Sequence, residues 1–396
     1  MKRRTFLRRA AALGGGLALA RAALARQGVG APAPETAYDT LRVAPREGAP
    51  TDSAAARVEP AVTLAAGGDV VLGYNLQDHV DRELAAGVPR EELFARYFAG
   101  VRHLTAAADL AVVNLECPFT ERGVRLEKNF NFRARPELVE ILKLGGVDVV
   151  SLANNHTMDW GVEGLEDTLA TLNAAGIGRF GAGRDLAAAR APLVMERNGL
   201  RIGFLGYYFQ SRRNMIEPEA MYARADRPGV AGCYVDLACV KRMVREDVEA
   251  LVPRVDAVIP FFHWGKEGSY VAQPYQRELA HLCVDLGCRA VLGAHPHRVQ
   301  GIEVRRGAPI VHSLANLVYG GIKDPQDPLS FVARLRVTRS AVDCEVVPIR
   351  ITRWPEAPFQ PFPLDGALRE LALARMAELS RALGATTPQL AQVATE

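Results

Sequence analysis

One feature constrains the fold of this chain more than any other. From Ala61 onward, short apolar runs rich in β-branched residues alternate with amphipathic helical patterns. Runs of that length read as buried strands, and the 3.6-residue periodicity between them reads as helices. Strands are expected at Ala61–Ala66, Leu110–Glu116, Val147–Leu152, Gly178–Gly183 and Ala257–Phe262, and another over Ala290–Ala294, with a short one at Phe130–Arg133. Helices are expected at Leu76–Ala86, Arg90–Ala107, Pro136–Leu144, Gly161–Ala175, Asp236–Leu251 and Gln273–Leu286. Two pairs of runs face each other across tight turns: Leu193–Glu196 with Leu200–Tyr207, and Gly301–Arg305 with Pro309–His312. Phe331–Thr338 and Cys344–Ile351 alternate as a sheet edge does, and Gly366–Leu383 patterns as a terminal helix. Strand–helix alternation ending in paired strands reads as one mixed-sheet α/β domain.

The ends of those strands carry the polar residues. Gly67-Gly68-Asp69 closes the first, Glu116 the second, and Asn154-Asn155-His156 with Asp159 the third. His263 follows the strand at Ala257, with Glu267 four residues on, and His295-Pro296-His297 follows the strand at Ala290. In an α/β sheet, ligands bind at the carboxyl ends of the strands. Any one of these groups could be a capped turn or a packed histidine. Together, carboxylates, an amide and imidazoles at five strand ends form a mixed nitrogen and oxygen set. Such a set suits Mn, Fe or Zn better than Mg or Ca, and one or two divalent transition ions could be held. His79, His103, His281 and His312 read as structural, because they lie inside helices or strands.

Composition matters mainly at the amino terminus. The chain has 48 Lys and Arg against 45 Asp and Glu, but six of the basic residues lie in residues 1–25 with no acid among them. The remainder carries no basic stripe, so no nucleic-acid partner is expected. Lys2-Arg3-Arg4-Thr5-Phe6-Leu7-Arg8, the Ala/Gly-rich run after it and Ala23-Leu24-Ala25 resemble a twin-arginine export signal cleaved near Ala25. The protein is therefore expected to be periplasmic or extracellular. Residues 26–57 read as a flexible linker. Among six cysteines, Cys233 with Cys239 or Cys283 with Cys288 could close in an oxidising compartment, though spacing does not fix the geometry; the six read as small buried residues. Residues 210–232 form a long polar excursion with Arg212, Arg213 and Arg224.

The ordered blocks Gly68-Asp69, Asn114-Leu115-Glu116, Asn154-Asn155-His156, His263-Trp264-Gly265 with Glu267, Gly293-Ala294-His295-Pro296-His297 and Ser313-Leu314-Ala315-Asn316 closely resemble the CapA family. These are poly-gamma-glutamate capsule biosynthesis proteins related to calcineurin-like metallophosphoesterases. The resemblance implies a two-sheet sandwich flanked by helices over residues 58–355, with 356–396 as a helical extension. It implies Asp69 and His297 at one metal, Asn155, His263 and His295 at a second, and Glu116 bridging. His156 would be the general acid or a phosphate-contacting residue, with Asp159 and Glu267 as supporting groups or a base. Val71 departs from the superfamily, which places a histidine there, and Glu116 stands where an aspartate is usual. The implied function is hydrolysis of a phosphoester or polyglutamate amide, with an anionic polymer as substrate and capsule synthase membrane proteins as possible partners. The alternative is a non-catalytic envelope factor that binds the polymer or the synthase.

Overall fold

The computed structural model describes residues 41–43, 59–211, 218–383 and 390–391. The expected export signal, most of the expected linker and Arg212-Arg213 lie outside them. A short strand, β1 (Leu41–Val43), falls within the expected linker, which is therefore not structureless throughout. The ten-residue β2 (Val62–Val71) is buried at all but one position, as a central strand covered on both faces must be. Helices α1 (Asn75–Ala85), α2 (Arg90–Ala99) and α3 (Arg102–Thr105) lead to β3 (Leu110–Leu115). The single helix expected over Arg90–Ala107 breaks at Gly100, a poor helix residue. Then α4 (Val139–Leu144) leads to β4 (Val149–Ser151), and α5 (Gly161–Ala175) to β5 (Gly178–Phe180). Strands β2 to β5 pair in parallel, the arrangement that helical crossovers permit. Phe130–Arg133 forms no strand; only Ala134 bridges, to Phe119.

The second half of the chain builds another sheet. After β6 (Ala182–Gly183) and α6 (Leu186–Arg190) comes the hairpin of β7 (Leu193–Arg197) and β8 (Leu200–Phe209). Its turn residues Asn198 and Gly199 both have positive φ, the geometry that matches the twist of paired strands. The run over Gly178–Gly183 thus divides between two sheets. The excursion carries β9 (Gly229–Val230), paired with β6, and Tyr222, stacked on Tyr208 with centroids 5.4 Å apart. A Cys233–Cys239 disulfide follows it, whereas Cys283 and Cys288 are free and buried. Next come α7 (Leu237–Leu251), β10 (Ala257–Trp264), α8 (Pro274–Asp285) and β11 (Val291–Ala294). The hairpin β12 (Ile302–Arg305) and β13 (Ala308–Val311) completes a six-stranded sheet.

The chain then returns to the first sheet. It adds β14 (Asn316–Tyr319), β15 (Leu329–Val337), β16 (Val342–Arg350) and β17 (Phe362–Pro363). Helix α9 (Gly366–Arg381) and β18 (Leu390–Ala391) follow, and β18 pairs with β1. Ten strands make up this sheet.

Two sheets packed face to face thus replace the one sheet that the alternation alone suggests, and match the architecture that the family resemblance implies. The reason lies in side-chain alternation. Leu64, Ala66, Val112 and Val149 point inward and meet Ile202, Phe204, Ile259 and Phe261 of the other sheet. Their neighbours Ala65, Val113 and Val150 point outward under Phe94, Phe98, Ile141 and Leu165 of the first helical layer. On the far side, Leu205, Tyr207, Val258 and Phe262 are covered by Val244, Val248 and Leu279. Each such side chain, fully buried, contributes roughly 1.5–3 kcal/mol. Among the described residues no helix is long and apolar enough to cross a membrane.

Candidate metal centre

The carboxyl ends of β2, β3, β4, β10 and β11 converge where the two sheets meet, and each delivers a polar side chain. Asp69 comes from β2, and Glu116 directly follows β3. Gly68 allows the approach: a Cβ there would lie 1.9 Å from the Ala315 carbonyl oxygen, which accepts the Asp69 amide at 2.9 Å. Asp69 is buried and fully engaged. Its Oδ1 accepts from Asn114 Nδ2 (2.8 Å), and its Oδ2 accepts from the His295 amide (3.1 Å) and lies 3.2 Å from His297 Nδ1. His295 and His297 both hold positive φ (98° and 52°), uncommon for residues with a side chain and found where a site over-determines the backbone.

His263 forms the centre of one group. Its Nε2 lies 2.8 Å from Asn155 Oδ1, 2.9 Å from His295 Nδ1 and 3.2 Å from Glu116 Oε1. One imidazole nitrogen cannot serve all three neighbours. Ligand-type nitrogens and oxygens crowded at hydrogen-bond distance form an arrangement that a cation resolves. Burial holds both His263 and His295 well below the usual histidine range, reinforced at His263 by the nearby His297, His156 and Lys128 and at His295 by His263 and His297. They are neutral imidazoles, the form that binds metals.

Glu116 joins this group to a second. Both its oxygens are buried, and among the described residues neither accepts a hydrogen bond. Burial, together with the Asp69 and Glu267 carboxylates, pushes its carboxyl well above the usual range. A buried carboxyl without partners is costly, and a bound cation removes that cost. Glu116, His263 and His295 place ligand atoms within 4.8 Å of one another, and so do Asp69, Glu116 and His297. His297 donates from Nδ1 to Asn316 Oδ1 (2.8 Å). Burial works against its charge, but hydrogen bonding to Asp69 and the Asp69 charge carry it above the ordinary value. The residues therefore fit one or two divalent cations sharing Glu116.

His156 stands beside this cluster rather than in it. Its Nδ1 lies 2.7 Å from Asp159 Oδ2, and its ring stacks on Phe132 with centroids 4.2 Å apart. Burial lowers its proton affinity, partly offset by Asp159. Asp159 also accepts the Phe132 amide (2.6 Å) and faces the Lys128 ammonium at 2.6 Å. Lys128, its side chain 2% exposed, further donates to the Asn155 carbonyl (2.5 Å). Asn154 caps the turn, its Oδ1 accepting from the His156 and Thr157 amides at 3.0 Å each.

The structure thus brings together Asp69, Glu116, Asn155, His263, His295 and His297, with His156 and Asp159 alongside. Glu267 is different. It is exposed on the turn after β10 and makes no hydrogen bond or ion pair among the described residues, so it acts on the centre only through its charge. Arg224 pairs with Glu219. Sequence reasoning missed the parts played by Lys128, Gln210 (2.5 Å from His295 Nε2), Asn114 and Tyr319. Only Asn114 left a signal: it lies two residues before Glu116, on the same face of an extended strand.

This is an α/β sandwich with a buried imidazole and carboxylate centre at the carboxyl edge of its sheets. Residues 63–320 match the model of the bacterial capsule synthesis protein family PGA_cap, and the chain belongs to that family. A probable polyglutamine synthesis accessory protein of Mycobacterium tuberculosis is 32% identical over 263 residues, 62% of this chain and 67% of the relative. The PGA biosynthesis protein CapA of Bacillus subtilis is 28% identical, over 64% of this chain and 62% of its own length. The capsule biosynthesis protein CapA of Bacillus anthracis is 26% identical, over 73% and 67%. Among solved structures, a phosphatase from Mycoplasma pneumoniae superposes with a TM-score of 0.43 at 15% identity, over 74% of this chain and 95% of the other.

Proposed function

We propose that this chain is an exported, metal-dependent hydrolase of capsule or poly-gamma-glutamate synthesis, acting on a phosphoester or a polyglutamate amide. The observation that carries the reading is Glu116, a buried carboxylate with neither oxygen hydrogen-bonded among the described residues and with His263, His295 and His297 around it. One or two ions of Mn, Fe or Zn bound there would supply Lewis acidity and lower the pKa of water. The chain's own residues do the rest. Asp159 holds His156 by Nδ1, leaving Nε2 as the ring nitrogen able to hand a proton to a leaving group. Lys128 and the Phe132 amide fix Asp159, so the imidazole cannot swing away. The names of the relatives support the polymer class, and the Cys233–Cys239 disulfide supports an oxidising compartment.

The test is direct. The chain from residue 26 is purified, its bound metal measured, and model phosphodiesters and poly-gamma-glutamate assayed. His263→Ala should lose metal, while His156→Ala should keep it and lose about 10²–10⁴-fold in turnover. Absence of transition metal, with His263→Ala indistinguishable from wild type, would overturn the reading. Polymer bound but not cleaved would favour the envelope-factor alternative. Export is tested separately: replacing Arg3 and Arg4 by Lys should retain the protein in the cytoplasm.

A further inference from the structure

The two cation positions are unequally furnished. Beside Glu116, His263 and His295 stands a further donor, Asn155 Oδ1, 2.8 Å from His263 Nε2. The other position has Asp69, Glu116 and His297. The next residue of β2 on the face of Asp69 is Val71, which offers no donor atom.

Strand β14 supplies what β2 lacks. It runs parallel to β2, with Asn316 opposite Asp69 and Tyr319 opposite Val71. Three steps on β14 therefore match two on β2, and the ladder is irregular between them. In a regular strand, residues three apart point to opposite faces. The extra residue turns both Asn316 and Tyr319 toward the face that carries Asp69, which is what bulges beside functional sites accomplish. Asn316 takes the His297 Nδ1 hydrogen bond, so Nε2 is the atom that faces Glu116 Oε1 (4.0 Å) and the Tyr319 hydroxyl (3.4 Å). The Tyr319 ring is buried, 4.9 Å from that of His297.

We propose that the Tyr319 hydroxyl is a protein donor to the Asp69–Glu116–His297 position, completing with a phenol oxygen the set that Val71 leaves short. The donor set there becomes three oxygens and one nitrogen, suited to a hard transition cation such as Mn²⁺ or an iron ion. The nitrogen-rich position around His263 suits a softer one. The proposal rests on the metal-binding reading above and adds a residue to it.

Metal-free full-length protein and Tyr319→Phe are titrated with Mn²⁺ and with Co²⁺. Bound ions are counted by elemental analysis, and the visible Co²⁺ spectrum reports coordination number. Wild type should take two ions. Tyr319→Phe should keep the ion at His263 and His295 and bind the other about tenfold or more weakly, with an altered spectrum for that equivalent alone. The phenyl ring preserves packing against His297, and equal melting of the two metal-free proteins separates ligation from folding. Unchanged affinity and spectrum in Tyr319→Phe, with one ion or two, would overturn the assignment and leave the metal reading intact. Absence of binding in wild type would overturn both.

Discussion

His312 shows how a single buried side chain sets pH behaviour away from the metal cluster. Among the described residues neither ring nitrogen has a hydrogen-bond partner, and the Glu303 carboxylate is 3.7 Å away. Despite burial, the neighbouring His312 and His281 bring the Glu303 carboxyl down to about 2, and Arg277 pairs with it at 2.9 Å. Burial lowers the proton affinity of His312, with Glu303 only partly offsetting it. The unfolded chain therefore takes up a proton near pH 6.5 that the folded chain refuses, and stability falls as pH drops through that value. Replacing His312 with Leu should remove about 1 kcal/mol of the loss between pH 7 and 5.5 in urea unfolding. Glu303 acts lower: its contribution is present above about pH 4.5 and is lost as pH falls toward 2. Glu303→Gln should thus cost about 1–3 kcal/mol at pH 7 and progressively less in acid.

Among the elements, β14 matters most for the site and was the hardest to read. Four residues between a hairpin and a long connection give too short a window for periodicity. Its position depends on Gly68, where backbone of β2 and the Ala315 carbonyl touch. Gly68→Ala must displace that carbonyl, and with it the strand carrying Asn316 and Tyr319. A cost of about 1–3 kcal/mol in the urea midpoint is expected, with weaker binding of one cation equivalent. An unchanged midpoint would mean that β14 shifts freely. By contrast, the helix over Gly161–Ala175 and the Asn198-Gly199 hairpin were legible in the sequence, because long periodicity and a φ-positive dipeptide are local signals. The break at Gly100 and the disulfide at Cys233 were not, since each depends on neighbours distant in sequence or on geometry.

At the scale of the molecule, the candidate centre joins two sheets. Asp69, Glu116 and Asn155 belong to the first, His263 and His295 to the second. A cation bound between them links the halves, so chelation should lower the melting temperature. At a hundredfold excess over Kd the linkage amounts to about 2.7 kcal/mol. Calorimetry with and without chelator measures it, and the difference should be smaller in His263→Ala, which keeps only the Asp69–Glu116–His297 position. The sequence by itself determined the strand and helix order, the family, and six donor-bearing positions at strand ends, because periodicity and residue chemistry are written locally. The tertiary structure alone decided which strands share each sheet, that Lys128 and Tyr319 reach the centre, and that Glu267 is exposed and makes no hydrogen bond there among the described residues. Those outcomes depend on which faces pack and on a one-residue bulge, and a strand's facing partner leaves no mark on its own residues.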